Sequence, residues 1–288
     1  MKVGVIGLGI MGAPMVRRLR ERGFETRVWN LEPERFAQVS DAGALWCDSP
    51  AGVRAASDIV VLCVLDGRAV EDVCFGAQGL AGAGGAEIVV DCSTVPPEAT
   101  RDIAGRMDAA WIDAPVSGGP QLAETGELTM LLGGQERDIE RARAVIDALA
   151  ANATHLGPLG AGQAAKTLNQ AIVGVNYVLM AELLALARKS GIDPARLPQA
   201  LAGGMADSQI LQRIYPQMEQ RDFDDPKAYA RQLRKDLDAV AQFVEGRGVD
   251  AVTIRAAVER YGAYVDAGHE MSDSAAIAQF YDGDDTTS

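Results

Sequence analysis

Residues 2–12 read KVGVIGLGIMG, and this stretch decides the fold. The run Lys2–Ile6 is short, apolar and rich in valine, as expected of a buried parallel strand. Gly7, Gly9 and Gly12 then follow in the spacing G-x-G-x-x-G, and a helical pattern begins at Gly12. The first glycine permits a tight turn, the second lets the main chain approach a pyrophosphate, and the third lets the helix pack closely on the strand. The predicted dinucleotide-binding residues are Gly7, Leu8, Gly9, Ile10, Met11 and Gly12.

The alternation of strand and helix continues through the first half of the chain. Further apolar runs at Glu25–Trp29, Asp58–Val64 and Glu87–Asp91 are separated by helical patterns. Strand, helix and strand in steady succession predict an α/β fold with an N-terminal, Rossmann-type doubly wound sheet.

The sequence pattern changes at Gly162, where strand-like apolar runs stop and helical periodicity begins. The long apolar stretch Gln163–Lys189 is the first of several predicted helices, and it lacks proline. We therefore predict two domains. Residues 1–161 form an NAD(P)-binding Rossmann domain, and residues 162–288 form an all-α domain for substrate binding and dimerisation.

Composition restricts the classes of partner. The 288 residues are 48% hydrophobic and 23% charged, as in an ordinary globular protein, and the net charge of −13 argues against nucleic acid and against an anionic membrane. Four cysteines without a CxxC pair and only two histidines make a metal site improbable. We expect no signal peptide and no apolar run of about 20 residues, and hence a cytoplasmic protein without a membrane partner.

The end of the second strand should contact the adenosine ribose. The residues there are Trp29, Asn30, Leu31 and Glu32. Asn30 can bond a ribose hydroxyl, whereas Glu32 would repel a 2′-phosphate, so the expected cofactor is NAD or NADP with NAD favoured. Arg35 could partly rescue NADP, and Asn30 could also simply begin a turn.

Two later stretches carry candidate chemistry. Residues 113–120 read DAPVSGGP, where Ser117, Gly118 and Gly119 offer a hydroxyl and main-chain N–H groups to a carboxylate. Residues 160–170 read GAGQAAKTLNQ, which places Lys166, with Asn169 and Gln170, on one helix face. We expect Lys166 in the first helical turn, where the positive end of the helix would favour the neutral amine. Alone, the first stretch could be a glycine turn and Lys166 a solvated surface lysine.

Taken together, the motifs resemble the 3-hydroxyisobutyrate dehydrogenase family of β-hydroxyacid dehydrogenases. The matching pieces occur in family order and cover nearly the whole chain. They are Gly7–Met15, Asp91–Thr94, Asp113–Gly119, Gly160–Gln170 and Lys235-Asp236.

The resemblance implies a role for each matching position. Lys166 would be the general acid and base, and Ser117, Gly118 and Gly119 would hold a substrate carboxylate. The cofactor would lie against Val64, Leu65, Thr94 and Lys235. Many family members have Asn at the position of Gln170, so Asn169-Gln170 looks more like the tartronate semialdehyde reductase and threonate dehydrogenase branches. This departure puts 3-hydroxyisobutyrate itself in doubt as the substrate.

The expected reaction is hydride transfer between the nicotinamide and a small β-hydroxy acid, in which Asn169 and Gln170 orient the hydroxyl. The alternatives are an imine reductase on the same scaffold and a non-catalytic protein that senses NAD(P). The resemblance disfavours both, because such proteins replace or lose the lysine. The apolar character of Gln163–Lys189 on more than one face further predicts an interface, and hence a homo-dimer or homo-tetramer.

Overall fold

The computed structural model describes residues 1–282, which form two compact units. The first unit is Met1–Lys166, and the second begins at Thr167. The predicted boundary, after residue 161, lies at the first residue of a long helix. The compact units divide five residues later, so that the opening turn of this helix belongs to the first unit. The division by function at that point remains a prediction.

The first unit is built on one mixed sheet, which has nine strands within residues 1–282. Their order begins β3-β2-β1-β4-β5-β6, all parallel, and continues with β8, which is antiparallel to both β6 and β7 and parallel to β9. The parallel part has the strand order of a doubly wound dinucleotide-binding sheet, so the predicted fold class is confirmed. The strands are β1 Lys2–Ile6, β2 Glu25–Trp29, β3 Leu45–Trp46, β4 Ile59–Leu62, β5 Ile88–Asp91, β6 Ala110–Asp113, β7 Val116–Ser117, β8 Leu128–Gly133 and β9 Ala150–Gly157.

Helices cover both faces of this sheet. Along β4, Ile59 and Val61 pack in one apolar cluster while Val60 and Leu62 pack in another, so the strand is buried on both sides. This explains why its sequence is a continuous apolar run rather than an alternating one. The helices of the unit are α1 Gly12–Glu21, α2 Pro50–Ala55, α3 Gly67–Phe75, α4 Pro97–Arg106, α5 Gly119–Thr125 and α6 Glu136–Leu149, with a 3-10 turn at Pro33–Gln38.

Within its described residues, all the regular elements of the second unit are helices. It contains most of the 29-residue helix α7, Ala161–Lys189, and a separate core that includes the buried rings of Tyr215, Tyr261 and Tyr264. The other helices are α8 Leu197–Leu201, α9 Gln209–Gln220, α10 Ala230–Glu245 and α11 Val252–Tyr264, with 3-10 turns at Pro194–Arg196 and Ser274–Tyr281 and a π turn at Val265–His269.

Helix α7 corrects one expectation and sharpens another. By length and composition it could cross a membrane, so the prediction that no apolar run reaches spanning length was wrong, although a single such helix is weak evidence of a span. Only 39% of its most apolar window is buried within the chain. Four large apolar residues on it remain exposed by 41–63%: Leu168, Ile172, Leu179 and Leu186.

Helix α7 is also held against α10 at one very close contact. A Cβ atom at Gly174 would lie 2.3 Å from the Cδ2 atom of Leu237, so the leucine side chain occupies the space that any other residue at 174 would need. The two helices can approach this closely only because position 174 has no side chain.

Candidate functional site

The glycine loop lies at the point where the order of the strands in the sheet reverses, because β1 is flanked by β2 on one side and by β4 on the other. Gly7 adopts φ +100°, and a Cβ atom there would lie 2.1 Å from the Cys63 carbonyl oxygen. A Cβ atom at Gly12 would lie 1.9 Å from the Gly7 oxygen, whereas one at Gly9 would meet nothing within 4 Å. The loop is therefore packed from below and open at Gly9, as a pyrophosphate cradle requires.

The start of α1 adds favourable electrostatics to this loop. No side chain caps the helix at Met11, and its first turn contains no acidic residue. The N–H groups and the positive end of a helix attract phosphate. The first unit therefore fits the nicotinamide dinucleotide that its sequence predicts.

Asn30 is built into this loop from the adjacent strand. It is only 7% exposed, its Oδ1 atom accepts from the Leu8 N–H at 2.7 Å, and its Nδ2 atom donates to Glu32 Oε2 at 2.7 Å. Both ends of the Asn30 amide are thus engaged within the chain. The structure gives Asn30 a role in shaping the loop and leaves the half-exposed Glu32 carboxylate beside it, 3.6 Å from the Arg35 guanidinium.

The ends of β4 and β5 contribute the next candidate residues. The Val64 N–H donates to Ser93 Oγ at 3.0 Å, which ties the two strand ends together. Leu65 is 81% exposed, and the side chain of Thr94 is exposed between the buried residues Ser93 and Val95. The predicted cofactor residues Val64, Leu65 and Thr94 therefore lie at one edge of the sheet, the carboxyl end that also carries Gly7.

The predicted carboxylate loop follows β6. Ser117 ends the short strand β7, and Gly118 and Gly119 have φ of +133° and +79°, which favour glycine. A Cβ atom at Gly119 would meet nothing within 4 Å, so this residue borders open space. The loop can thus present main-chain groups without a side chain in the way.

Lys166 lies directly beside this loop. Its Nζ atom donates to the Val116 carbonyl oxygen at 3.0 Å, one residue before Ser117, and the lysine is only partly exposed. It is the sixth residue of α7, so the predicted position in the first turn was wrong. The argument from the helix end does not apply to Lys166, because that effect fades within one turn.

Two buried polar residues to which the sequence motifs assigned no role hold the start of α7. The Asp113 carboxylate accepts from the N–H groups of Gly160 at 2.7 Å and Gln163 at 2.8 Å. The Gln163 amide in turn bonds the main chain on both sides of Thr94. Burial raises the pKa of Asp113, and the two N–H groups oppose that rise. The G-x-G-Q spacing before Lys166 was the signal that could have drawn attention to Gln163.

In the second unit, three polar side chains form a chain of hydrogen bonds. Asn169 Nδ2 donates to Gln170 Oε1 at 2.8 Å, and Gln170 Nε2 donates to Asp236 Oδ2 at 2.5 Å. All three are partly exposed, and Lys235 beside Asp236 is exposed on α10. The amide of Gln170 is therefore held in one orientation by a carboxylate.

The described residues contain no group of three His, Cys, Asp or Glu side chains that could hold a metal ion. The cysteines are free thiols, of which Cys74 and Cys92 are buried while Cys47 and Cys63 are partly exposed. Burial raises the pKa of Cys63 and Cys74 to about 12. Thiols with such pKa values are poor nucleophiles at neutral pH, so the lysine remains the stronger candidate for chemistry.

Known families match both parts of the chain. Residues 2–157 match the NAD binding domain of 6-phosphogluconate dehydrogenase, and residues 160–281 match the family described as NAD-binding of NADP-dependent 3-hydroxyisobutyrate dehydrogenase.

Three curated proteins are similar over nearly their whole length. The 2-hydroxy-3-oxopropionate reductase of Escherichia coli is 34% identical, covering 97% of this chain and 96% of its own. The 3-hydroxyisobutyrate dehydrogenase of Pseudomonas aeruginosa is 33% identical, covering 98% and 99%. The L-threonate dehydrogenase of Cupriavidus necator is 31% identical, covering 98% and 96%.

Solved structures agree with this. A 3-hydroxyisobutyrate dehydrogenase of Mycobacterium tuberculosis, solved with L-serine, superposes with a TM-score of 0.84 at 27% identity, covering 97% of this chain and 98% of its own. An imine reductase of a Pseudomonas species has a TM-score of 0.62 at 20% identity, covering 96% and 98%, and this likeness extends to the fold alone.

Proposed function

Because this chain belongs to the NAD(P)-dependent hydroxyacid dehydrogenase family of 3-hydroxyisobutyrate dehydrogenase, we propose that it oxidises or forms a small β-hydroxy acid with Lys166 as acid and base. The family resemblance drawn from the sequence is thereby confirmed, and the chain is an NAD(P)-dependent oxidoreductase acting on CH–OH groups. One observation supports the role of Lys166: its amine donates a hydrogen bond of 3.0 Å to the carbonyl oxygen of Val116, the residue before Ser117.

The chemistry follows from these positions. Ser117, Gly118 and Gly119 hold the carboxylate of the acid, and its hydroxyl lies against Lys166. A bound nicotinamide would supply the hydride acceptor, or the donor in the reverse direction. Neutral Lys166 accepts the hydroxyl proton as the C–H hydride departs, and the ammonium form returns that proton to the carbonyl oxygen in reverse. Asn169 and Gln170 orient the oxygen that reacts.

The cofactor is held by the loop Gly7–Gly12, with Asn30 acting through the shape of that loop and with Val64, Leu65, Thr94 and Lys235 in contact. We infer a preference for NAD, since the Glu32 carboxylate would face a 2′-phosphate. The ratio of kcat/KM for NAD to that for NADP should exceed about tenfold, equal to about 1.4 kcal/mol. Replacing Glu32 with Gln should narrow the ratio, and a higher kcat/KM with NADP would contradict the preference.

The substrate class rests on Gln170 and on the relatives. The reductase of Escherichia coli acts on 2-hydroxy-3-oxopropionate, and the Mycobacterium tuberculosis structure holds L-serine, a small acid with a β-hydroxyl. We propose an acid of the 3-hydroxyisobutyrate or tartronate semialdehyde type, turned over in the cytoplasm. A panel of small hydroxy acids, their semialdehydes and cyclic imines, assayed with both cofactors, tests this. Turnover of imines alone would overturn it, as would cofactor binding without any turnover.

The decisive variant is Lys166→Ala. General acid–base catalysis is typically worth about 10²- to 10⁴-fold, so kcat should fall by that factor while the affinity for the cofactor is retained. Lys189→Ala, an exposed lysine at the other end of the same helix, serves as the matched control and should leave kcat unchanged. Wild-type turnover in Lys166→Ala would remove the basis of the mechanism.

We also propose that the chain assembles as a homo-dimer or homo-tetramer through the exposed stripe of Leu168, Ile172, Leu179 and Leu186. The stripe follows α7 over about 27 Å, at 1.5 Å per residue, and presents apolar side chains that a second copy would cover. The double variant Ile172→Glu with Leu179→Glu should shift the mass measured by light scattering to that of a monomer. Val252→Glu, at an exposed residue outside α7, is the control. A wild-type monomer at micromolar concentration would contradict assembly.

A further inference from the structure

The opening turn of α7 is fastened to one strand of the sheet by a buried carboxylate. Asp113, the last residue of β6, is fully buried, and its two oxygens accept from Gly160 N and Gln163 N at 2.7 and 2.8 Å. It therefore caps the helix from 47 residues away in sequence. Three residues after Asp113 comes Val116, the residue whose carbonyl holds the Lys166 amine.

Gln163 fastens the same turn to the segment that follows the neighbouring strand, β5. This side chain is 1% exposed, its Nε2 atom donates to the Ser93 oxygen at 2.7 Å, and its Oε1 atom accepts from Val95 N at 3.1 Å. One amide thus bonds the main chain on either side of Thr94. Ser93 and Val95 are buried, whereas Thr94 between them is exposed just beyond the carboxyl end of β5.

The space around these bonds leaves little freedom for adjustment. A Cβ atom at Gly162 would lie 2.1 Å from the Leu131 oxygen, and one at Gly133 would lie 2.4 Å from Asp113 Oδ1. Both glycines let the helix start and the carboxylate approach the sheet more closely than any other residue would allow. The first turn of α7 is thus fixed at two points, to the segment that follows β5 and to the last residue of β6, by buried groups in close contact.

From this arrangement we propose that Gln163 is a positioning residue for the reaction. It sets the distance between the amine of Lys166, three residues further along α7, and the segment around Thr94. Asp113 sets the same helix against the loop that begins at Val116. The inference rests on the proposed role of Lys166. A displacement of about 1 Å at a reacting group can cost about a hundredfold in rate, so one lost amide bond has a measurable effect.

Two substitutions of Gln163 test the proposal. Gln163→Met keeps the length of the side chain and removes both bonds, and we expect kcat to fall about 10- to 100-fold with a smaller change in KM for the acid. Gln163→Glu keeps the shape, and only its protonated form can both donate to the Ser93 oxygen and accept from Val95 N. The kcat of this variant relative to wild type should therefore rise as the pH falls.

Arg54→Met is the matched control for lost stability. Arg54 is also buried and donates to the main chain near the other end of β5, to Ala86 O at 3.1 Å and Leu80 O at 2.7 Å. This variant should lower the melting temperature at least as much as Gln163→Met while kcat stays within about twofold of wild type. Gln163 variants that lose melting temperature but keep wild-type kcat and its pH profile would overturn the proposal.

A double-mutant cycle separates this proposal from the proposed function. If Gln163 acts through Lys166, adding Gln163→Met to Lys166→Ala should lower kcat by less than about threefold, because the group that it positions is already gone. An equal loss in both backgrounds would show that Gln163 acts independently of Lys166 and would overturn the inference. If Lys166→Ala alone kept wild-type kcat, the proposed function would fail first. Should Gln163→Met not fold, the Glu variant carries the same cycle.

Discussion

The two units hold their candidate residues in different ways. In the first unit, Asn30, Asp113 and Gln163 are at most 7% exposed, and each bonds main-chain atoms. In the second unit, Asn169, Gln170 and Asp236 are partly exposed and bond one another through side chains. A bond to the main chain fixes a position for any substrate, whereas a chain of exposed side chains can change by single substitutions. On the proposed function, we therefore expect the first arrangement to keep the cofactor end constant and the second to let the Gln170 end select the substrate.

The largest expected effect distinguishes two glycines of the glycine loop in the first unit. Gly7→Ala should destabilise the fold and lower cofactor affinity by at least about a hundredfold, about 2.7 kcal/mol, because φ is +100° and the added Cβ would meet Cys63 O at 2.1 Å. Gly9→Ala meets nothing within 4 Å and should keep the wild-type melting temperature while still losing cofactor affinity. Calorimetric titration with the cofactor and thermal melts check both. An equal fall in melting temperature in the two variants would contradict the interpretation of this loop as a pyrophosphate cradle that is open at Gly9.

The next effect concerns Asp91, a buried carboxyl of the first unit. Burial raises its pKa to about 7, and its Oδ2 atom has no hydrogen-bond partner within residues 1–282. The folded state therefore holds a proton that the unfolded state releases near pH 4, so the stability contributed by this group is lost as the pH rises from about 4 to 7. Across that window the loss is on the order of a few kcal/mol.

Asp91→Asn removes this titration. Denaturant unfolding of the variant should show a flatter dependence on pH between 4 and 7 than unfolding of the wild type. A wild-type protein whose stability rises with pH in parallel with that of Asp91→Asn would show that Asp91 does not titrate in this way.

The smallest expected effect concerns the hydrogen-bonded side chains Asn169, Gln170 and Asp236 of the second unit. Asp236→Asn weakens the acceptor that holds the Gln170 amide, and kcat/KM for the acid should fall about tenfold, about 1.4 kcal/mol, with unchanged cofactor affinity. Asp238→Asn, on the same helix, weakens a partly exposed pair with Arg234 and should change kcat/KM by less than about twofold. Cofactor affinity that falls together with kcat/KM in Asp236→Asn would remove the distinction between the two ends.

Much of the fold followed from local pattern. The strands β1 and β2 have the bounds that the sequence pattern predicts, because an apolar run is a property of neighbouring residues. The short helices α2 and α5 and the two-residue strand β7 were missed, since such elements are too brief to show a period.

The site was harder to predict, because its geometry depends on residues that are distant in sequence. The first turn of α7 includes Gly162, which by itself looks like loop, and it is helical because Asp113 caps it from another strand. Lys166 was therefore placed one turn too early. Asn30 resembled a ribose ligand, and only its bond to Leu8, 22 residues away, shows its part in the loop. Single residues were identified by type, whereas their partners required the folded chain.

The contact between Gly174 and Leu237 bears directly on the substrate selectivity that we propose for Gln170. Gln170 lies one helical turn before Gly174, and Asp236 is the neighbour of Leu237, so the missing side chain at 174 sets the spacing across which the amide and the carboxylate meet. A methyl group at 174 would push α7 and α10 apart and separate that pair without altering either residue. The absence of a side chain at 174 therefore sets how closely Gln170 and Asp236 can approach each other. We expect the substrate range to change with mutations at this apolar contact that alter no polar group.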